Sequence, residues 1–346
     1  MVPATISTAK RPPEGIIPPK STGKTQPLRV GVIGVGYFGC FHAAKYAALP
    51  GCELTAVVDI APARAAAAAD RFGATPHTDL ESALAEVDAV SVATPTASHY
   101  AVAAACLSRG VHVLLEKPMT RTLAEADALL ALAERMGCLL QIGHQERFFA
   151  ARLDLAAMCP APEQITCARL GPFTGRSVDC SVVTDLMIHD IDFVQSLIPA
   201  SLCDIEAMGT PQVTAYADTV DALLSYANGT RVDLSASRIH DHRERTARIV
   251  NRDGSRVDVD FLERTCTHDR WGAMPARSPA AFDLPGVAGA PAPEDNLGQE
   301  LAAFAATVRA GGTPMVTGAD GRRALETALA VERRLALPLR AASAQG

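Results

Sequence analysis

LRVGVIGVGYFG, residues 28–39, is the stretch that decides the fold. Its first eight residues (28–35) form an apolar run short enough for one buried strand, and it closes in Gly34-Val35-Gly36-Tyr37-Phe38-Gly39. The spacing is G-x-G-x-x-G, set where a strand gives way to a helix that runs to about Ala48. Gly34 permits the tight turn, Gly36 lets the backbone approach a pyrophosphate, and Gly39 lets the helix pack on the strand. The helix N-terminus, opened by Tyr37 and Phe38, then faces the phosphate charge. The same fingerprint asks for an acidic residue ~20 positions further on, at the end of the second strand. Asp59 stands there, closing CELTAVVD (52–59). A carboxylate at that place accepts a ribose hydroxyl and repels a 2′-phosphate, so NAD is the expected cofactor and NADP the second choice. Arg64 would soften that preference if it turned back toward the ribose.

Outward from this unit the rhythm repeats. PARAAAAADRF (62–72), DLESALAEV (79–87), SHYAVAAACLSRG (98–110) and TLAEADALLALAERMG (122–137) read as helices. DAVSVATP (88–95), HVLLEKP (112–118) and LLQIGHQ (139–145) read as strands between them. Strands alternating with helices predict βαβ units and a doubly wound parallel sheet of the Rossmann type over 28–148. Beyond about residue 150 one helix (184–198) precedes β-prone runs broken at Asn228-Gly229 and Asp253-Gly254, both strong hairpin signals. Two helices close the chain. The expected fold is therefore α/β. An N-terminal Rossmann domain precedes a C-terminal α+β domain (149–340) with a largely antiparallel open sheet. Residues 1–27, rich in Pro, Lys, Thr and Ser, read as a disordered tail, and 272–293 as a Pro/Ala/Gly-rich loop.

Composition removes several classes of function. The 346 residues carry 32 Lys+Arg against 38 Asp+Glu, a formal net charge of −6, which argues against a nucleic-acid backbone or an anionic membrane as partner. Nine cysteines include no C-x-x-C pair, so zinc-ribbon and thioredoxin-like readings have no support, and no metal is expected. With no secretory signal and no long apolar run, a cytoplasmic protein with reduced cysteines is expected. No G-x-S-x-G elbow suggests a hydrolase.

Ligands of open α/β sheets bind beyond the carboxyl ends of strands. Two such ends carry polar clusters: Thr94-Pro95-Thr96 with His99, and Glu116-Lys117-Pro118. Only five of the basic residues are lysines, and none follows Lys117. It is either a solvated surface lysine or a group that hydrogen-bonds a substrate hydroxyl and relays its proton, which arginine cannot do. On the helix 184–198, a step of ~100° per residue places Asp185, His189, Asp192 and Ser196 on one narrow stripe opposite Met187, Ile188, Ile191, Val194 and Ile198. That stripe is either the solvated side of an amphipathic helix or an acid/base pair one turn apart, Asp185 beside His189. His240-Asp241-His242 reads as a structural or rim segment.

Taken together, GVGYFG, ATPTASH, EKP at a strand end and DLMIHDID resemble the glucose–fructose oxidoreductase/inositol dehydrogenase/rhizopine-catabolism (Gfo/Idh/MocA) family over roughly residues 28–340. The resemblance implies a nicotinamide cofactor, hydride transfer at a sugar or polyol carbon, and an open sheet that often builds a homo-oligomer, a dimer or tetramer. It places Lys117, Asp185 and His189 at the substrate-binding and proton-transfer positions. GHQERF (143–148) with DLMIHDID is similar to the nucleotide-sugar members, the UDP-N-acetylglucosamine 3-dehydrogenase-like enzymes, and puts Arg147 near the substrate. Thr96, where many members have Asn, and Cys180-Ser181-Val182-Val183-Thr184, where many have a glycine-rich run, depart from the family pattern. A small-molecule sugar or nucleotide sugar is the expected partner. A polyol dehydrogenase and a non-catalytic NAD-binding sensor are the rival readings.

Overall fold

The computed structural model describes residues 26–175, 177–269 and 295–335. The expected tail, except Gln26 and Pro27, and the 272–293 loop lie outside these residues. In the first half, β1 (Leu28–Ile33) leads into α1 (Tyr37–Ala48), β2 (Cys52–Val58) into α2 (Pro62–Phe72), and a three-residue β3 (Thr75–His77) into α3 (Leu80–Leu84). Next, β4 (Ala89–Val92) leads into α4 (Thr96–Ser108), β5 (His112–Glu116) into α5 (Leu123–Met136), and β6 (Leu140–Gly143) into α6 (Glu146–Arg152). The six strands are parallel in the order β3-β2-β1-β4-β5-β6, so the order reverses between β1 and β4. That reversal opens the crevice in which doubly wound sheets hold ligands. β4, β5 and β6 are buried at every position, as expected for strands covered on both faces. Local chemistry sets the helix ends. Pro62 starts α2, and Gly73 ends it in the left-handed region. Thr122 and Glu125 form a capping box at the start of α5.

The second half continues with α7 (Leu155–Met158), β7 (Pro162–Leu170), a π turn (Val183–Met187) and α8 (Ile188–Leu197). Then come β8 (Leu202–Thr210), β9 (Thr219–Tyr226), β10 (Arg231–Ser237), β11 (Glu244–Asn251), β12 (Arg256–Asp260) and β13 (Thr265–Asp269). Their order is β13-β12-β11-β7-β10-β9-β8, antiparallel throughout except for the parallel β7–β10 pair. Gly229 and Gly254 take φ of 83° and 78° at the two expected hairpins, a conformation that suits glycine. Val220, Ala222 and Leu224 of β9 and Val232, Leu234 and Ala236 of β10 bury one face against Val183, Ile191, Val194, Ala324 and Ala328 of the π turn, α8 and α10 (Gly318–Arg334). Alternate residues such as Asp221, Asp233 and Ser235 point the other way.

The closing helices return to the first sheet. Leu297, Leu301, Phe304 and Val308 of α9 (Asn296–Ala310) join the core of Leu28, Val30 and Tyr46. Thr317, just before α10, bridges to Gln141 of β6, and Gly321 lies so close to Ile142 that a Cβ there would come within 2.4 Å. The expected division at 148/149 falls inside α6. Three departures from the sequence reading have plain causes. Thr75–His77 is too short to carry a period. PEQITCARL (162–170), the central strand of the second sheet, has no turn dipeptide before it to announce it. The helix expected over 184–198 begins instead as a π turn, which rotates the residues after Met187 out of phase with an unbroken 3.6-residue helix.

Candidate active site

The turn of the first βα unit is shaped as its glycines require. Gly34 sits at φ 85°, a Cβ on Gly39 would lie 1.8 Å from the Gly34 carbonyl oxygen, and a Cβ on Gly36 would meet nothing within 4 Å. The free space over Gly36, at an α1 N-terminus capped by no side chain, fits a pyrophosphate. Beyond β2, Asp59 is buried and Arg64 reaches back to it, Nη2 2.8 Å and Nε 3.1 Å from Oδ1. Burial opposes ionisation of Asp59, but the bonds from Arg64 and the Ala61 amide outweigh it and hold the carboxyl below its ordinary range.

A cleft of about 1320 Å³ runs from this turn to the inner face of the second sheet. Tyr37, Phe38, Thr94, Pro95, Thr96, Glu116, Lys117, Asp185 and His189 all line it. Lys117 extends from the end of β5 to the π turn, its Nζ 2.6 Å from the Asp185 carbonyl oxygen and 3.4 Å from Asp185 Oδ1. The motif's glutamate serves differently. Glu116 is buried, its Oε1 3.2 Å from His42 Nε2. Burial opposes its charge, yet His42 and the Lys117 ammonium keep its carboxyl below the usual range.

His189 follows the π turn with its Nδ1 buried 3.2 Å from Glu146 Oε2. Glu146 Oε1 lies 3.0 Å from Arg169 Nη1, and Arg169 also pairs with buried Asp190 at 2.8 Å. Desolvation, helped by the Lys117 charge, outweighs the Glu146 carboxylate and brings the His189 pKa down to about 4. Burial opposes the Glu146 charge, but His189 and Arg169 beside it hold its carboxyl well below the usual range. The result is a neutral imidazole with a fixed carboxylate on Nδ1, which leaves Nε2 as the proton acceptor toward the cleft. This carboxylate–imidazole arrangement fixes the tautomer and stabilises an imidazolium when one forms.

Other expected residues stand off the cleft wall. His99 is buried behind it, its ring nitrogens 2.9 Å from the carbonyls of Thr94 and Pro118, so it ties the two strand-end loops together. Arg147 turns away, Nε 2.8 Å from Asp192 Oδ2 and Nη2 3.4 Å from Asp320 Oδ1. Asp192 is thereby buried, and Ser196 Oγ donates to the Phe193 carbonyl, so the stripe on α8 is not a solvated face. His240 and His242 flank Asp241, their Nδ1 atoms 3.1 and 2.6 Å from its Oδ1, on the loop between β10 and β11. Glu146, Arg169 and Arg245 line the cleft without having been singled out in the sequence. For Glu146 a signal existed: it opens the helix after a strand end, one residue before Arg147. For the two arginines nothing local marks them.

The chain belongs to the GFO/IDH/MocA oxidoreductase family: residues 28–144 match its NAD-binding Rossmann-fold domain and residues 167–257 its C-terminal domain. It is 39% identical over 310 residues to a UDP-N-acetylglucosamine 3-dehydrogenase of Acidithiobacillus ferrooxidans, covering 88% of this chain and 96% of that one. A solved structure of that dehydrogenase superposes with a TM-score of 0.80 at 37% identity, covering 89% of this chain and 98% of the other. A scyllo-inositol 2-dehydrogenase (NAD(+)) of Bacillus subtilis is 27% identical over 338 residues, 88% of this chain and 92% of the relative. No helix among the described residues is long and apolar enough to cross a membrane.

Proposed function

We propose that this oxidoreductase transfers hydride between NAD and a secondary hydroxyl of a sugar, with a nucleotide sugar as the substrate class. One observation carries the reading: Lys117, from the end of a parallel strand, and His189, held by Glu146, line a single cleft that begins at the phosphate turn. The 39% identical relative named for UDP-N-acetylglucosamine supports the substrate class.

NAD, when bound, supplies the hydride acceptor. The Gly34–Gly39 turn and the α1 N-terminus would hold its pyrophosphate, Asp59 its adenosine ribose, and the Thr94-Pro95-Thr96 and Glu116-Lys117 ends its nicotinamide side. Lys117, steered by Asp185, donates a hydrogen bond to the reacting hydroxyl oxygen. His189 Nε2 takes the hydroxyl proton as the C–H bond breaks, and Glu146 stabilises the imidazolium that results. In the reverse direction the same proton returns from His189 to the carbonyl oxygen. Asp59 favours NAD over NADP, and its pairing with Arg64 moderates the preference.

A second reading, a polyol dehydrogenase, draws on the 27% identical inositol relative. A non-catalytic sensor would have no use for Lys117, Asp185 and a carboxylate-held His189 together. NADH formation across UDP-sugars, free sugars and inositols separates the three. Turnover greatest with a UDP-sugar is expected, and turnover with inositols alone or with nothing overturns the nucleotide-sugar reading. The polar outer face of the second sheet, uncovered by any helix among the described residues, suits a homodimer or tetramer, which light scattering measures.

A further inference from the structure

Arg169 of β7 and Arg245 of β11 stand directly opposite each other in the antiparallel ladder, on the inner face of the sheet, and both line the cleft. Like charges in that register repel at close range and destabilise a sheet. Arg169 has an explanation, since Glu146 and Asp190 both pair with it and it is buried. Arg245 has none: no carboxylate among the described residues lies within ion-pair distance of its guanidinium. Its side chain is exposed to the cleft; desolvation and then the Arg169 charge lower its pKa, against the opposing pull of Glu146 and Asp190. Arg169 is claimed by its two carboxylates, so the exposed Arg245 guanidinium beside it, with no ion-pair partner among the described residues, stays available to an incoming anion.

We infer that Arg245 is the anion-binding residue of the substrate cleft, gripping an anionic substituent of the sugar while another part of that sugar meets Lys117 and His189. The inference deepens the nucleotide-sugar reading and rests on it for the identity of the sugar. The geometry runs through a short chain: Arg245 faces Arg169, Arg169 touches Glu146, and Glu146 touches His189. Thr174, Ser177, Ser181 and Thr184 add hydroxyl groups along the same cleft. The planar fork of arginine suits two oxygens at once, as a diphosphate or a carboxylate presents them. The anion is therefore either the diphosphate of a nucleotide sugar or the carboxylate of a sugar acid.

The test is calorimetric binding to the full-length, NAD-loaded protein, with UDP, glucuronate and N-acetylglucosamine as separate probes. In Arg245→Ala, UDP affinity is expected to fall about tenfold or more, equivalent to ~1.4 kcal/mol. NAD affinity and the melting temperature should hold. Arg245→Lys should fall between, and since either change relaxes the crowding opposite Arg169, both should fold. If glucuronate rather than UDP tracks Arg245, the anion subsite stands with a carboxylate as its occupant. UDP and glucuronate affinities that both ignore the substitution overturn the inference. So does an equal loss of NAD affinity, which would assign Arg245 to the cofactor. Arg245-dependent UDP binding in a protein that oxidises no sugar keeps the subsite and defeats the dehydrogenase reading, so the two fail separately.

Discussion

The first sheet brings its site residues to the cleft from the carboxyl ends of neighbouring parallel strands, whereas the second brings them from strand interiors and from a π turn. In the first, each cluster is contiguous in sequence: Gly34 to Gly39, Thr94 to Thr96, Glu116 to Pro118. In the second, Arg169, Asp185, His189 and Arg245 are spread over 76 residues; they meet each other, and Glu146 at the start of α6, only because β7 pairs with β11 and α8 packs across them. Parallel topology puts every strand end at one edge, so a motif there becomes a wall of the cleft without further help. An antiparallel sheet has no such edge, and its site depends on register and on buried charge pairs.

That difference can be challenged by mutation. Lys117→Met should lower kcat by about a thousandfold, the upper range for losing one donor to a reacting oxygen, while NAD affinity measured by fluorescence stays unchanged. A variant with normal turnover would remove the first sheet from the chemistry. Gly36→Ala and Gly39→Ala then separate binding from folding at one turn. A Cβ on Gly36 meets open space and Gly36 has negative φ, so its variant should melt normally yet bind NAD about tenfold more weakly. At Gly39 the Cβ strikes a backbone oxygen, and a loss of ~1–3 kcal/mol of stability is expected from denaturant curves.

In the second sheet the effect is on tuning. With neutral His189 as the proposed proton acceptor, kcat/KM should decline as the pH falls toward its value of about 4. Glu146 raises that value, so Glu146→Gln should shift the acid limb to lower pH and reduce kcat about tenfold, at the mild end for a general-base defect. An acid limb that stays in place would show that Glu146 does not tune His189. The smallest effect concerns Glu300, buried on α9 where that helix packs on the first half. Burial, then the charges of Glu116, Glu146 and Asp192, raise its carboxyl pKa well above the usual range. A raised folded-state value means stability present at low pH and lost as pH rises past the unfolded value near ~4.3. Glu300→Gln should therefore raise the melting temperature at pH 8 by on the order of 2–4 °C, and much less near pH 4. An equal gain at both pH values would contradict a protonated Glu300.

Much of the first half was legible in the sequence because its signals are local. Helix 62–72 begins and ends where Pro62 and Gly73 indicate, and the phosphate turn has the geometry its glycines require. The hairpins at Gly229 and Gly254 were legible for the same reason. What escaped was set by distance. PEQITCARL (162–170) shows its importance only when six later strands flank it, three on each side. Arg147 drew notice through the likeness of GHQERF to nucleotide-sugar members, but Asp192 and Asp320, 45 residues or more away, claim it, and Glu146 beside it reaches the cleft instead. The α8 stripe was read on an ideal helix, and the π turn ahead of it with the buried partners of Asp190 and Asp192 changed what its faces meet.

In the proposed mechanism the two halves orient the reacting hydroxyl together, joined where Lys117 meets Asp185. A double-mutant cycle on turnover tests this most directly, comparing Lys117→Met, Asp185→Asn and the double variant. Residues that act as a unit are strongly non-additive. The double variant is predicted to be no slower than Lys117→Met alone. Losses that multiply, giving a double variant slower by the product of the two single effects, would show that the two residues serve independent roles and contradict the joined site.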